Sequence, residues 1–221
     1  MPAKNEDLHG SVPDKAAVAL LLIDVINDLE FDGGEKLLHH ALPMAEKIAA
    51  LKQRAREASI PIIYVNDNFG KWQSDFNKLL SHCLERDVRG RRLVERLRPQ
   101  EDDYFVLKPK HSGFFSTTLD TLLDYLKART LILTGVAANI CVLFTANDAY
   151  MRDFNLVIPS DCVASNTTED NEHALKLMEQ VLKADTTPST DLDLEEIKRA
   201  DRREQDATSA QTETPQFVNS D

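Results

Sequence analysis

The chain has 221 residues, enough for one domain with a sizeable core. Lys and Arg number 26 against 37 Asp and Glu, and the resulting formal charge of −11 repels phosphate backbones, which argues against nucleic acid as a partner. The opening MPAKNEDLHG lacks the apolar stretch of a signal peptide, and the longest apolar run, Ala16 to Ile23, is too short to span a bilayer; a soluble, cytoplasmic chain with no membrane partner is expected.

The first strand reads as VALLLI, Val18 to Ile23, ending at Asp24. A helix follows from Pro43 to Ser59, where proline suits a first turn and Ile48, Leu51 and Ala55 recur at helical spacing. PIIYVN, Pro61 to Asn66, is the second strand. Helix and loop carry Trp72 to Leu97, and YFVLKP, Tyr104 to Pro109, is the third strand. A helix from Thr118 to Lys127 leads to TLILT, Thr130 to Thr134. The helix Asn139 to Met151 then leads to NLVIPS, Asn155 to Ser160. The helix Glu172 to Lys183 closes the pattern, with a weak sixth strand near Ala184 to Ser189. Strands alternating with helices imply parallel pairing, and near-continuous apolar strands imply helices on both faces. The expected fold is a three-layer α/β/α domain over residues 1–185 with a mostly parallel sheet of five or six strands. Residues 186–221 read as an acidic tail, partly disordered, because the composition beyond Glu204 has no Lys or Arg and little apolar material.

Three cysteines (Cys83, Cys141, Cys162) without C-x-x-C spacing argue against disulfides or a zinc ribbon. None of the six histidines pairs with another at the i, i+4 spacing of a helical metal site, so neither metal nor other cofactor is expected. Ligands of open parallel sheets bind beyond the carboxyl ends of strands. Asp24 closes strand one, Lys108 closes strand three, and Cys141 follows strand four. A carboxylate, an ammonium and a thiol at one sheet edge are the parts of a thiol nucleophile with its base and cation. Each has a plainer reading: a core cysteine, a carboxylate capping a loop amide, a solvated lysine. Alternation puts Lys108 and Lys110 on the same face as Val106 and does not choose between them. A helix start with Asn139 as cap would favour a Cys141 thiolate. Cys83 and Cys162 have no such setting and read as structural.

Four segments resemble the isochorismatase-like cysteine hydrolases in order and spacing: LLLIDVINDLEF (Leu20 to Phe31), VLKPKHSGFFSTTL (Val106 to Leu119), TGVAANICVLFTANDA (Thr134 to Ala149) and SDCVAS (Ser160 to Ser165). The resemblance covers Val18 to Lys183. It implies a catalytic Asp24, Lys108 (the lysine opening K-P-x-H-S-x-F) and Cys141, and a cis peptide between Val136 and Ala137. It further implies an oxyanion hole from the backbone N–H groups of Ala137 and Cys141, and assembly as a homo-oligomer. Ala138 stands where many relatives carry Thr or Ser. The implied chemistry is hydrolysis of a C–N bond in a small amide or ureido-type substrate through a thioester on Cys141. Phe31, Trp72, His111, Phe114 and Phe115 are candidates to line the substrate pocket, each equally suited to a core or loop role.

Metal-dependent nicotinamidases carry an Asp-x-His cluster after the second strand; VNDNFGKW, Val65 to Trp72, has no histidine, which argues against that branch. Vinyl ether hydrolysis of the isochorismatase kind needs no thiol and is the alternative activity. A silent binding module on the same fold is another. The Leu107 to Pro109 triplet also suits a receiver-like signalling domain, but strands follow it and the phospho-acceptor aspartate is missing. The six arginines of Arg86 to Arg98 read as a solvated, salt-bridged surface.

Overall fold

A computed structural model describes residues 16–70 and 75–200. The six strands are β1 (Val18–Ile23), β2 (Ile62–Asp67), β3 (Tyr104–Lys108), β4 (Thr130–Val136), β5 (Asn155–Val157) and β6 (Val163–Ala164). They form one all-parallel sheet in the order β3-β2-β1-β4-β5, with β6 paired to the end of β4. The order reverses beside β1, so the crevice for a ligand lies beyond the carboxyl ends of β1 and β4.

Strand alternation sorts the core into two layers. Val18, Leu20 and Leu22 face a cluster built from α1 (Gly34–Glu57), α2 (Phe76–Glu85) and α3 (Arg91–Arg96). Ala19, Leu21 and Ile23 face a cluster built from α4 (Leu119–Leu126), α5 (Leu143–Tyr150) and α6 (Thr168–Leu182). Buried on both sides, β1 needs no polar residue until it surfaces at Asp24.

The helix expected from Pro43 starts nine residues earlier, at Gly34. Leu37, Ala41, Met44, Ala45 and Ile48 make one continuous buried stripe, and that packing carries the helix through Pro43. β5 stops at Val157, three residues short of expectation. The sixth strand is not at Ala184 to Ser189, where one bridge joins Asp185 to Val157. It is Val163–Ala164, inside the SDCVAS segment.

The boundary expected at residue 185 falls short of the packed chain. Leu192 and Leu194 belong to the core cluster on α1. Arg54 donates to the carbonyls of Ser189 (2.6 Å) and Leu192, and Asp161 accepts from Ser189 N (2.7 Å) and Oγ (2.8 Å). Residues 201–221 lie outside the described residues. No described helix is long and apolar enough to cross a membrane.

Candidate active site

Asp24 follows β1 in the left-handed conformation (φ 52°), a backbone that Asp tolerates better than most residues and that turns its carboxylate along the sheet edge. Its Oδ1 accepts the backbone N–H of Asp67 (2.7 Å) and its Oδ2 meets Lys108 Nζ at 2.8 Å. Lys108, the last residue of β3, has a fully buried side chain. Its Nζ also lies 3.5 Å from Cys141 Sγ, 3.2 Å from the Lys110 carbonyl and 3.6 Å from Asp67 Oδ2. Lys110 is exposed, so the backbone alternation that left two lysines open resolves on Lys108.

Cys141 sits in a π-turn, Ala138–Val142, that joins β4 to α5. The expected Asn139 cap is absent: Ala137 occupies the cap position, and Asn139 is engaged with Ser165, which donates to its Oδ1 (3.0 Å) and accepts its N–H (3.3 Å). The wide turn is held by Thr145, fully buried, which donates to the Cys141 carbonyl (2.7 Å) and accepts the Gly113 N–H (3.0 Å). The Val136–Ala137 peptide is cis.

The electrostatics differ from a pre-formed thiolate. Burial pushes the Cys141 thiol up to about 12, the Asp24 charge adds to this, and Lys108 offsets only part. Burial likewise raises Asp24 above the ordinary carboxylate range against the pull of Lys108. Burial lowers Lys108, but Asp24, Cys141 and Asp67 together outweigh it and hold the ammonium charged. Burial thus favours the neutral thiol, against the helix-start effect that would favour a thiolate, and sets it beside a carboxylate of raised proton affinity. Cys83 and Cys162 are buried and are likewise pushed up to about 12.

His111 presents Nδ1 at 3.9 Å from Sγ on the solvent side, with its ring tilted against Phe144 at 5.4 Å. Phe31 lines a cleft of about 1190 Å³ between the 28–31 turn and α2, together with Asp67, Phe69, Leu79 and Leu107. Phe114 is buried in the α4–α6 cluster, with Arg152 over its ring (4.8 Å) and Phe154 against it (5.9 Å). Phe115 is exposed and absent from the cleft lining. Trp72 lies outside the described residues. Asp67 was not singled out in the sequence; it ends β2, and only its register with Lys108 in the folded sheet brings it to the cluster. Among the described residues no group of three or more His, Cys, Asp or Glu is placed to hold a metal ion.

A profile of the isochorismatase domain matches residues 18–190. The chain is 49% identical over 173 residues to the uncharacterized isochorismatase family protein YaaI of Bacillus subtilis, covering 78% of this chain and 94% of that one. It is 28% identical over 176 residues to the ureidoacrylate amidohydrolase RutB of Methylorubrum extorquens, covering 67% and 70%. The crystal structure of an isochorismatase-like hydrolase from Alkaliphilus metalliredigens superposes with a TM-score of 0.63 at 26% identity, covering 81% of this chain and 96% of that one. By profile, sequence and fold, this chain belongs to the isochorismatase family of hydrolases.

Proposed function

We infer that the chain is a cysteine hydrolase that cleaves the C–N bond of a small amide or ureido-type substrate. The observation that carries this reading is the position of one buried ammonium: Lys108 Nζ stands 2.8 Å from the Asp24 carboxylate and 3.5 Å from the Cys141 sulfur. A cation sealed between a carboxylate and a thiol is poorly used in a binding module, because burying it is costly. In acyl transfer it stabilises the sulfur while the proton moves to Asp24.

The steps follow from the two raised pKa values. Asp24 accepts the thiol proton as Sγ attacks the carbonyl carbon, and Lys108 offsets the negative charge that builds on sulfur. The backbone N–H groups of Ala137 and Cys141 hold the developing oxyanion. Asp24 then passes its proton to the departing nitrogen, the C–N bond breaks, and a thioester remains. Water loses a proton to Asp24, attacks the thioester, and releases the acid and the thiol. A carboxyl of raised pKa suits a group that acts alternately as base and acid. The relative named as a ureidoacrylate amidohydrolase supports the C–N bond class.

The test is a panel of small primary amides, ureido acids and isochorismate, scored for ammonia and for pyruvate. Ammonia release that disappears in a folded Cys141→Ala variant supports the reading. Pyruvate from isochorismate that persists in that variant favours vinyl ether hydrolysis. An unreactive panel together with a Cys141 that resists alkylation favours a silent module.

A further inference from the structure

The mechanism above gives Asp67 no task, yet four observations converge on it. Its backbone N–H donates to Asp24 Oδ1 (2.7 Å), while its own Oδ1 accepts the Phe69 N–H (2.6 Å). Its Oδ2 lies 3.6 Å from Lys108 Nζ. Its side chain is 30% exposed, whereas those of Asp24 and Lys108 are 7% and 0% exposed. It also lines the cleft of about 1190 Å³ between the 28–31 turn and α2. Asp67 is thus the member of the charged cluster that a molecule in the cleft meets directly.

The charges set what that molecule carries. Asp24 and Asp67 share one ammonium, so the cluster holds a net negative charge before any proton leaves Cys141. The separations from Lys108 to Asp67 and to the sulfur bound the Oδ2-to-Sγ distance at about 7 Å. That is the span of one small acyl group with its substituent. A second anion at this spot is repelled through a partly dry medium, while an N–H donor finds an accessible carboxylate oxygen. Asp67 is the one member of the charged cluster that lines this cleft, and Lys78 and Arg86 line it farther along α2, so the exclusion applies to its Asp67 end.

We propose that Asp67 reads the substrate: its Oδ2 accepts an N–H of the amide or ureido group flanking the scissile carbonyl, and it rejects substrates bearing a carboxylate at that place. The assignment deepens the hydrolase reading and takes its biological meaning from it, but its test needs no turnover. The full-length protein is alkylated at Cys141 with iodoacetamide and, separately, with iodoacetate, and the modified peptide is followed by mass. The first reagent places an NH2 beside its carbonyl and the second places a carboxylate there. Wild type prefers iodoacetamide, and Asp67→Asn lowers that preference about tenfold, chiefly by accelerating iodoacetate. Asp67→Ser, which keeps an acceptor for the Phe69 N–H, lowers it likewise and covers the case in which the Asn variant does not fold. A purely structural role moves both rates together. A preference unchanged within twofold in the folded variants overturns the proposal. A blank ammonia panel with a lowered preference retires the hydrolase reading and leaves the Asp67 assignment; ammonia release with an unchanged preference does the reverse.

Discussion

Gly135→Ala tests how closely the sheet and the site are bound together. Gly135 lies in β4 opposite Ile23 of β1, with φ at +111°. A Cβ built there stands 2.1 Å from the Ile23 carbonyl oxygen and 2.8 and 2.9 Å from its N and C atoms. Ordinary contact begins near 3.4 Å, so the strands must part by about 1.3 Å, and every obstructing atom is backbone. An L-residue at this φ costs about 1–2 kcal/mol. Overpacking adds about 1–3 kcal/mol, and weakened ladder hydrogen bonds add about 1 kcal/mol. The expected loss is about 3–6 kcal/mol, a large share of a stability that is usually about 5–15 kcal/mol. Urea unfolding reads it as a lower midpoint at unchanged slope. Ile23 directly precedes Asp24 and Cys141 follows β4, so parting these strands moves the carboxylate away from the sulfur, and alkylation of Cys141 in the folded fraction changes as well. A loss below about 1 kcal/mol with unaltered alkylation refutes this coupling.

Three further outcomes are expected. Lys52 binds Asp103 (2.9 Å), Tyr64 OH (2.8 Å) and the Arg98 carbonyl (3.0 Å), so Lys52→Met leaves a buried carboxylate short of a partner and costs about 3 kcal/mol in urea unfolding, with the Cys141 alkylation rate unchanged. Thr145→Val strands the Cys141 carbonyl and the Gly113 N–H and costs about 2–3 kcal/mol with slowed alkylation, while Thr145→Ser restores most of both. For pH, the working form needs Asp24 ionised, and burial raises its pKa, so activity and alkylation fall with acidification at a pH above that of an ordinary aspartate. Lys108 is held charged by Asp24, Cys141 and Asp67 against burial, so no falling limb from loss of that cation appears up to about pH 10. A profile whose acid limb sits in the ordinary aspartate range contradicts this assignment.

Strand-end chemistry was the part of the site most legible in the sequence. Asp24 stands out because six apolar residues precede it, Lys108 because it closes a mainly apolar strand, and Cys141 because it comes shortly after a buried one. Asp67 was not legible, since Asp-Asn after a strand reads equally as turn chemistry, and only register with Lys108 distinguishes it. Phe114 looked like its exposed neighbour Phe115; one residue of rotation along the loop separates a core ring from a surface ring. The start of α1 was hidden by Pro43, a local signal overridden by a stripe of buried residues on either side. The two-residue β6 has too little sequence for periodicity and exists through its pairing with Gly135 and Val136. The raised thiol pKa depends chiefly on burial together with the charge of Asp24, distant in sequence, which no local pattern encodes.

The most direct measurement is acid quenching during turnover of whichever panel substrate releases ammonia, followed by mass mapping of cysteine peptides. The account predicts an acyl adduct on the peptide carrying Cys141, none on those carrying Cys83 or Cys162, and loss of both adduct and ammonia in Cys141→Ala. Sustained ammonia release from folded Cys141→Ala protein contradicts it.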